Sequence, residues 1–174
     1  MLINNTITLL SNLKIHNVGK EIERKFLVKN ENYRINAKRA FIHQGFLNND
    51  KKRVVRVRIE DSRGTLTIKG LPIGNERAEF EYDIPLIEAE QLLDELCMQP
   101  TIKKYRFRVM YKGFTWEVDE FLEENEGLVV AEVEIPKTDT ILELPKWVAR
   151  EVSNDPKYYN SNLIEKPFNT WETN

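Results

Sequence analysis

Cysteine is nearly absent from this 174-residue chain, Cys97 being the only one. A single thiol excludes an intrachain disulfide and the stapled folds that depend on it, so an intracellular, cytoplasmic protein is expected. Cys97 sits at helical spacing from Leu93, which reads as a small buried apolar residue rather than a nucleophile. Histidine is almost as scarce, His16 and His43 each standing alone. Without clustered cysteine or histidine, zinc is not expected. Any metal would be a hard cation held by carboxylates: Mg²⁺, Mn²⁺ or Ca²⁺. No apolar run is long enough to span a membrane. Charge of one sign is lacking too. With 26 Lys+Arg against 28 Asp+Glu, the formal net charge is -2, and nothing global draws the chain to nucleic acid or an acidic surface.

What is present is a strand vocabulary. A 41% hydrophobic fraction supports a real core, and the length fits one domain. Residues 1–19 read as an N-terminal extension, disordered or weakly ordered, and 20–174 as a single domain. Eight runs rich in Val, Ile, Phe, Tyr and Thr alternate with period two: EIERKFLV, AFIHQGFL, RVVRVRIE, GTLTIKG, AEFEYDIP, KKYRFRVMY, FTWEVDEF and LVVAEVEIP. Short sequential strands suggest an antiparallel meander, and eight suffice to close a barrel. Leu86, Ala89, Leu92, Leu93 and Leu96 mark one amphipathic helix after Pro85. A second is expected over about 139–151, interrupted at Pro145, and a short third in the aromatic tail, which reads as docked. Tyr158 and Tyr159 there read as packing residues.

The strands carry charge on one parity. Glu21, Glu23 and Lys25 lie on the first, about 6.7 Å apart from one to the next if extended. Arg56 and Arg58 share a face, as do Glu79 and Glu81, Lys104 and Arg106, Glu117 and Asp119, and Glu132 and Glu134; Lys69 ends its strand. For any one pair, a solvated strand face is the simpler account. The whole set fits that account less well, because like-signed blocks add no stability on a solvated face. Blocks of acid facing blocks of base suit a polyanion with bridging cations. Cations held by carboxylates reverse the local sign, and Lys and Arg neutralise phosphoryl oxygens.

In that order, the motifs resemble the CYTH superfamily, the triphosphate tunnel metalloenzymes. EIERK resembles its Glu-x-Glu-x-Lys opening, and VRVRI, LTIKG, EFEYDIP, WEVDEF and AEVEI its later strands. The resemblance covers about residues 20–171, and DPKYYNSNL resembles the short bacterial branch. It implies a mainly β (α+β) fold, an eight-stranded antiparallel β-barrel forming a tunnel with a charged interior and covering helices. It also implies hydrolysis of a triphosphate, inorganic tripolyphosphate in that branch, with Mg²⁺ or Mn²⁺ as two ions. By position, Glu21, Glu23 and Glu134 would hold one metal. Glu81, Asp119 and Glu132 would serve the second, supported by Glu79 and Glu117. Lys25, Arg56, Arg58, Lys69, Lys104 and Arg106 would bind phosphoryl oxygens, with Glu21, Glu23 and Lys25 the catalytic opening. Two departures stand out. The motif usually lies near the start, and Lys103 stands where the branch often has an acid; by parity it points away from Lys104. Lys157 could reach the tunnel mouth or be a solvated lysine.

Alternatives stay open at this point: adenylate cyclase, thiamine triphosphatase, nucleoside or RNA 5′-triphosphatase, and a non-catalytic polyphosphate or RNA binder. The expected partner is a small-molecule triphosphate, with no membrane and no nucleic acid. The oligomeric state is left open, a homodimer included.

Overall fold

The computed structural model describes residues 22–50, 52–71 and 78–172. Glu21 and the segment 1–19 lie outside the described residues. Nine strands form one sheet: β1 (Glu23–Val28), β2 (Lys38–Asn48), β3 (Arg53–Glu60), β4 (Arg63–Gly70), β5 (Glu79–Ile84), β6 (Ile102–Tyr111), β7 (Phe114–Phe121), β8 (Val129–Glu134) and β9 (Val148–Glu151). Their order is β5-β4-β3-β2-β6-β7-β8-β1-β9, and every pairing is antiparallel. The expected meander holds in two parts, β2 to β5 and β6 to β8; these join through β2 and β6, and β1 pairs with β8 instead of β2. Among the described residues the pairing does not close: β5 and the four-residue β9 remain as edges. The sheet curls instead, and side chains of β1, β3–β5 and β6–β8 meet around one cavity.

Alternation assigns the two faces. Outward parity on β1, β6, β7 and β8 places Phe26, Phe107, Trp116, Val118, Ala131 and Val133 in an apolar layer covered by Tyr33, Trp147 and Val148. Outward residues of β3 pack Val57 and Ile59 on Ala89, Leu93 and Cys97. Ala89 belongs to α1 (Leu86–Gln91), Leu93 to the π-helical turn Leu92–Leu96 that continues it, and Cys97 caps that turn. Close approach of this element requires Gly45, where an added Cβ would sit 2.8 Å from the Cys97 Cβ. Cys97 is buried as expected, and burial pushes its thiol up to about 11.

Two expectations are corrected. The predicted face included Leu96, yet Leu96 is 65% exposed. The amide of Cys97 bonds to the Leu92 carbonyl, so the wider turn carries Leu96 outward and Cys97 inward. The helix expected over 139–151 is absent. Residues 136–147 form turns and extended chain, and β9 follows. β9 pairs Val148 with Val28 and Glu151 with Phe26, satisfying backbone groups on the open side of β1 that a helix would leave bare.

The inward face changes character along its length. At one end, inward-facing Phe46, Val54, Ile102, Phe121 and Val130 form an apolar floor. The tail packs Tyr158, Leu163 and Ile164 against it. The tail runs through single turns at Pro156–Tyr158 and Phe168–Thr170 around α2 (Asn162–Glu165). Its aromatics dock as expected, Trp171 lying edge-on to both Tyr158 and Phe168.

Candidate functional site

Beyond the floor, the same parity turns charged around a cavity of about 1670 Å³. Its walls carry Glu23 and Lys25 from β1, Arg56 and Arg58 from β3, Lys69 from β4, Glu79 and Glu81 from β5, Arg106 from β6, Glu117 from β7, and Glu132 and Glu134 from β8. These eleven predicted site residues converge from seven strands. Lys104 and Asp119 do not reach the wall; both are essentially fully buried beneath it.

Register explains the distribution. Glu23 lies opposite Glu134, Lys25 opposite Glu132, and Glu117 opposite Glu132. Two of these three cross-strand pairs set carboxylate against carboxylate, an arrangement that costs stability unless positive charge intervenes. Lys25 and Arg106 supply some of it. The Lys25 ammonium is 2.6 Å from Glu132 and 3.7 Å from Glu23. Burial alone would lower its pKa, but Glu132 and Glu23 outweigh burial and raise it. Arg106 bridges Glu117, Asp119 and Glu132.

Beneath the wall, Asp119 takes Lys104 at 2.5 Å and Arg106 through two bonds of 2.7 Å. Burial would push Asp119 up, yet Arg106 and Lys104 together hold it well below the usual carboxylate range. Lys104 shifts the other way from Lys25. Burial, aided by Arg106 and Arg58, outweighs its one close carboxylate and pushes it down to about 8. Asp119 is thus committed to fixing two cations.

The opposite wall is basic and hydroxylic. Arg56 donates to Thr67 and lies 3.7 Å from Glu81, while Lys69 is 2.7 Å from Glu79. Arg58 donates twice to the neutral Gln44 amide. Burial, with Arg56 and Arg106 adding repulsion, lowers Arg58 to about 9.

The tail supplies the remaining border. Tyr159 lines the cavity instead of packing, its ring 6.0 Å from the Lys25 ammonium, whereas Tyr158 packs as expected. Lys157 also borders the cavity, its ammonium 3.9 Å from the Trp171 ring centroid. Lys103 points outward onto Glu123.

Sequence reasoning passed over several wall residues. Arg108 continues the parity of Lys104 and Arg106, and Glu60 that of Arg56 and Arg58; they bond each other, and Arg108 also holds Glu117. Parity alone would have found both. Thr65 and Arg63 also line the cavity. Gln44 carried no signal, being one polar residue in an apolar strand.

The donor set suits a hard divalent cation: carboxylate oxygens, clustered by register, with no cysteine, methionine or histidine among the described residues lining the cavity. Among the described residues no three His, Cys, Asp or Glu side chains form a ready-made metal cage; Glu23, Glu79, Glu81, Glu117 and Glu132 lie on lysine and arginine partners. Glu21, two residues before Glu23, is outside the described residues.

The CYTH domain family matches residues 19–166. A protein of Acetivibrio thermocellus named inorganic triphosphatase is 47% identical over 155 residues, covering 89% of this chain and 99% of its own. A solved structure of an inorganic triphosphatase aligns with a TM-score of 0.62 at 26% identity, over 84% of this chain and 95% of its own. A protein from Hippeastrum, described as having a dominant triphosphatase activity, shares the fold at a TM-score of 0.53 and 15% identity, over 67% of this chain and 80% of its own. With most of its length matched by the family and a close relative spanned nearly end to end, this chain belongs to the CYTH domain family.

Proposed function

We propose that this protein is a divalent-metal-dependent triphosphatase that hydrolyses inorganic tripolyphosphate to diphosphate and phosphate. One observation carries the reading: a single cavity faces a carboxylate wall on β1, β7 and β8 with a basic wall on β3 and β4. The relatives named inorganic triphosphatase support the substrate.

Glu23, Glu117, Glu132 and Glu134 are the residues that would hold the metal, Mg²⁺ or Mn²⁺, with Glu21 as a further ligand. Glu79 and Glu81 at the β5 edge are the candidates for a second ion. Bound there, such cations reverse the repulsion between carboxylates and a polyanion and make water more acidic. The chain's own part is positioning. Arg56, Arg58 and Lys69 present donors to phosphoryl oxygens from one side, and Lys25 and Arg106 from the other. Asp119 and Lys104 act from beneath by fixing Arg106. Phosphoryl transfer requires little more than such alignment and charge stabilisation, and no serine, cysteine or histidine nucleophile is needed. The apolar floor and the docked tail pack together at one end of the sheet's inner face.

Phosphate release from tripolyphosphate, ATP and thiamine triphosphate, each with Mg²⁺, Mn²⁺ or chelator, tests the assignment. Release from tripolyphosphate far above the others, abolished by chelator, is the expected result. Glu23→Gln should remove turnover while the far-ultraviolet circular dichroism stays unchanged. Chelator-resistant release, or full activity in Glu23→Gln, would sink the reading. Cyclic AMP formed from ATP would transfer it to cyclase chemistry.

A further inference from the structure

Gln44 lies in mid-β2, fully buried and directly opposite Arg58 in register. Its Oε1 accepts from Arg58 Nε at 3.0 Å and from Arg58 Nη2 at 2.8 Å. The chain places a neutral amide where a carboxylate would make the same fork. The contrast with the neighbouring cations is sharp. Lys25, Lys104 and Arg106 each lie on at least one carboxylate. Among the described residues, no carboxylate lies within ion-pair distance of Arg58. The fork takes Nε and Nη2 and leaves Nη1 without a described protein partner. The Gln44 Nε2 is also buried without one. An uncancelled guanidinium on a cavity wall, held in one plane, is a built anion contact.

We propose that Gln44 is a positioning residue, which fixes the Arg58 guanidinium without neutralising it and so keeps Arg58 as the uncompensated cation for a phosphoryl group. The inference rests on the cavity being a phosphoanion site. It adds a reason for the amide: glutamate at this position would orient Arg58 equally well but cancel its charge. Burial, with Arg56 and Arg106, outweighs the more distant Asp119 and Glu117 and depresses the pKa of Arg58, in keeping with a cation that has no carboxylate in contact.

Two variants separate orientation from charge, Gln44→Glu and Gln44→Met, with Arg58→Met as reference. Binding of inorganic diphosphate in Mg²⁺ buffer is followed by calorimetry, which needs no turnover. KM and kcat for tripolyphosphate and the melting temperature are measured in parallel. Gln44→Glu should melt at or above the wild-type temperature, yet bind diphosphate about tenfold or more weakly and raise KM more than it lowers kcat, because uniform binding is lost. Gln44→Met should weaken binding in the wild type but add little in the Arg58→Met background, since it acts through Arg58. A folded Gln44→Glu that binds diphosphate like wild type overturns the proposal. So do additive effects of Gln44→Met and Arg58→Met, which would make Gln44 merely a packing residue. If the wild type binds diphosphate but does not turn over tripolyphosphate, the functional assignment fails while the binding arms still decide Gln44. If the wild type does not bind diphosphate, the anion site itself is refuted.

Discussion

Asp119 shows how one residue can look like a ligand and serve as a foundation. Its parity places it with the metal-facing carboxylates, but it is 1% exposed and saturated by Lys104 and Arg106. Removing it leaves two buried cations with a missing counter-charge. Asp119→Ala should therefore cost about 3–5 kcal/mol in urea unfolding; an unchanged midpoint would show that the buried cluster contributes nothing. The same residue sets the acid limit. Asp119 and Glu132 are both held below their unfolded values, because Arg106, Lys104 and Lys25 outweigh burial. A depressed carboxylate stabilises the fold above its unfolded pKa, and that stability is lost as pH falls toward the folded value. Melting temperature should hold from pH 7 to about 5 and drop steeply below about 4. A flat profile down to pH 2 would contradict the depressed values. Most of the cavity wall was legible at this scale, since period-two alternation dictates which charges share a face. Depth along the face was not. Whether an inward side chain meets solvent or lies beneath its neighbours depends on the stagger between strands, which no single strand encodes.

At the scale of elements, β9 and the π turn mark where local pattern yields to tertiary demand. Residues 139–151 carry apolar spacing that suits a helix, but β1 has an unpaired side that needs a partner, and the chain's next segment supplies it. The π turn likewise answers a packing need, since it is Cys97, not Leu96, that meets Gly45. Gly45→Ala should destabilise by about 1–3 kcal/mol, because the new methyl enters space already held by Cys97 and Leu93. Chemical denaturation measures this directly. A neutral effect would mean that the helix can slide away from β2. Gln44, adjacent to it, was invisible in the sequence because its role exists only through Arg58, fourteen residues away and across a strand pair.

For the whole molecule, the tail is part of the core and not an accessory. Tyr158, Leu163 and Ile164 share one apolar cluster with Phe46, Ile102 and Phe121. Each such side chain is worth about 1.5–3 kcal/mol when fully buried, and domain stabilities total about 5–15 kcal/mol. Deleting residues 156–172 should abolish the cooperative melt; a truncated protein melting like the full chain would reduce the tail to a detachable cover. The sequence by itself determined the first eight strands, their faces, the opposition of acidic and basic blocks, and the family resemblance, because alternation and turn residues are local properties. Only the tertiary structure decided how the sheet curls around one cavity, that Lys104 and Asp119 lie under the site, that Tyr159 borders it, and that Arg58 rests on an amide. Those outcomes depend on curvature, stagger and contacts between residues far apart in the chain, where the physical forces act across space and the sequence carries no local trace of them.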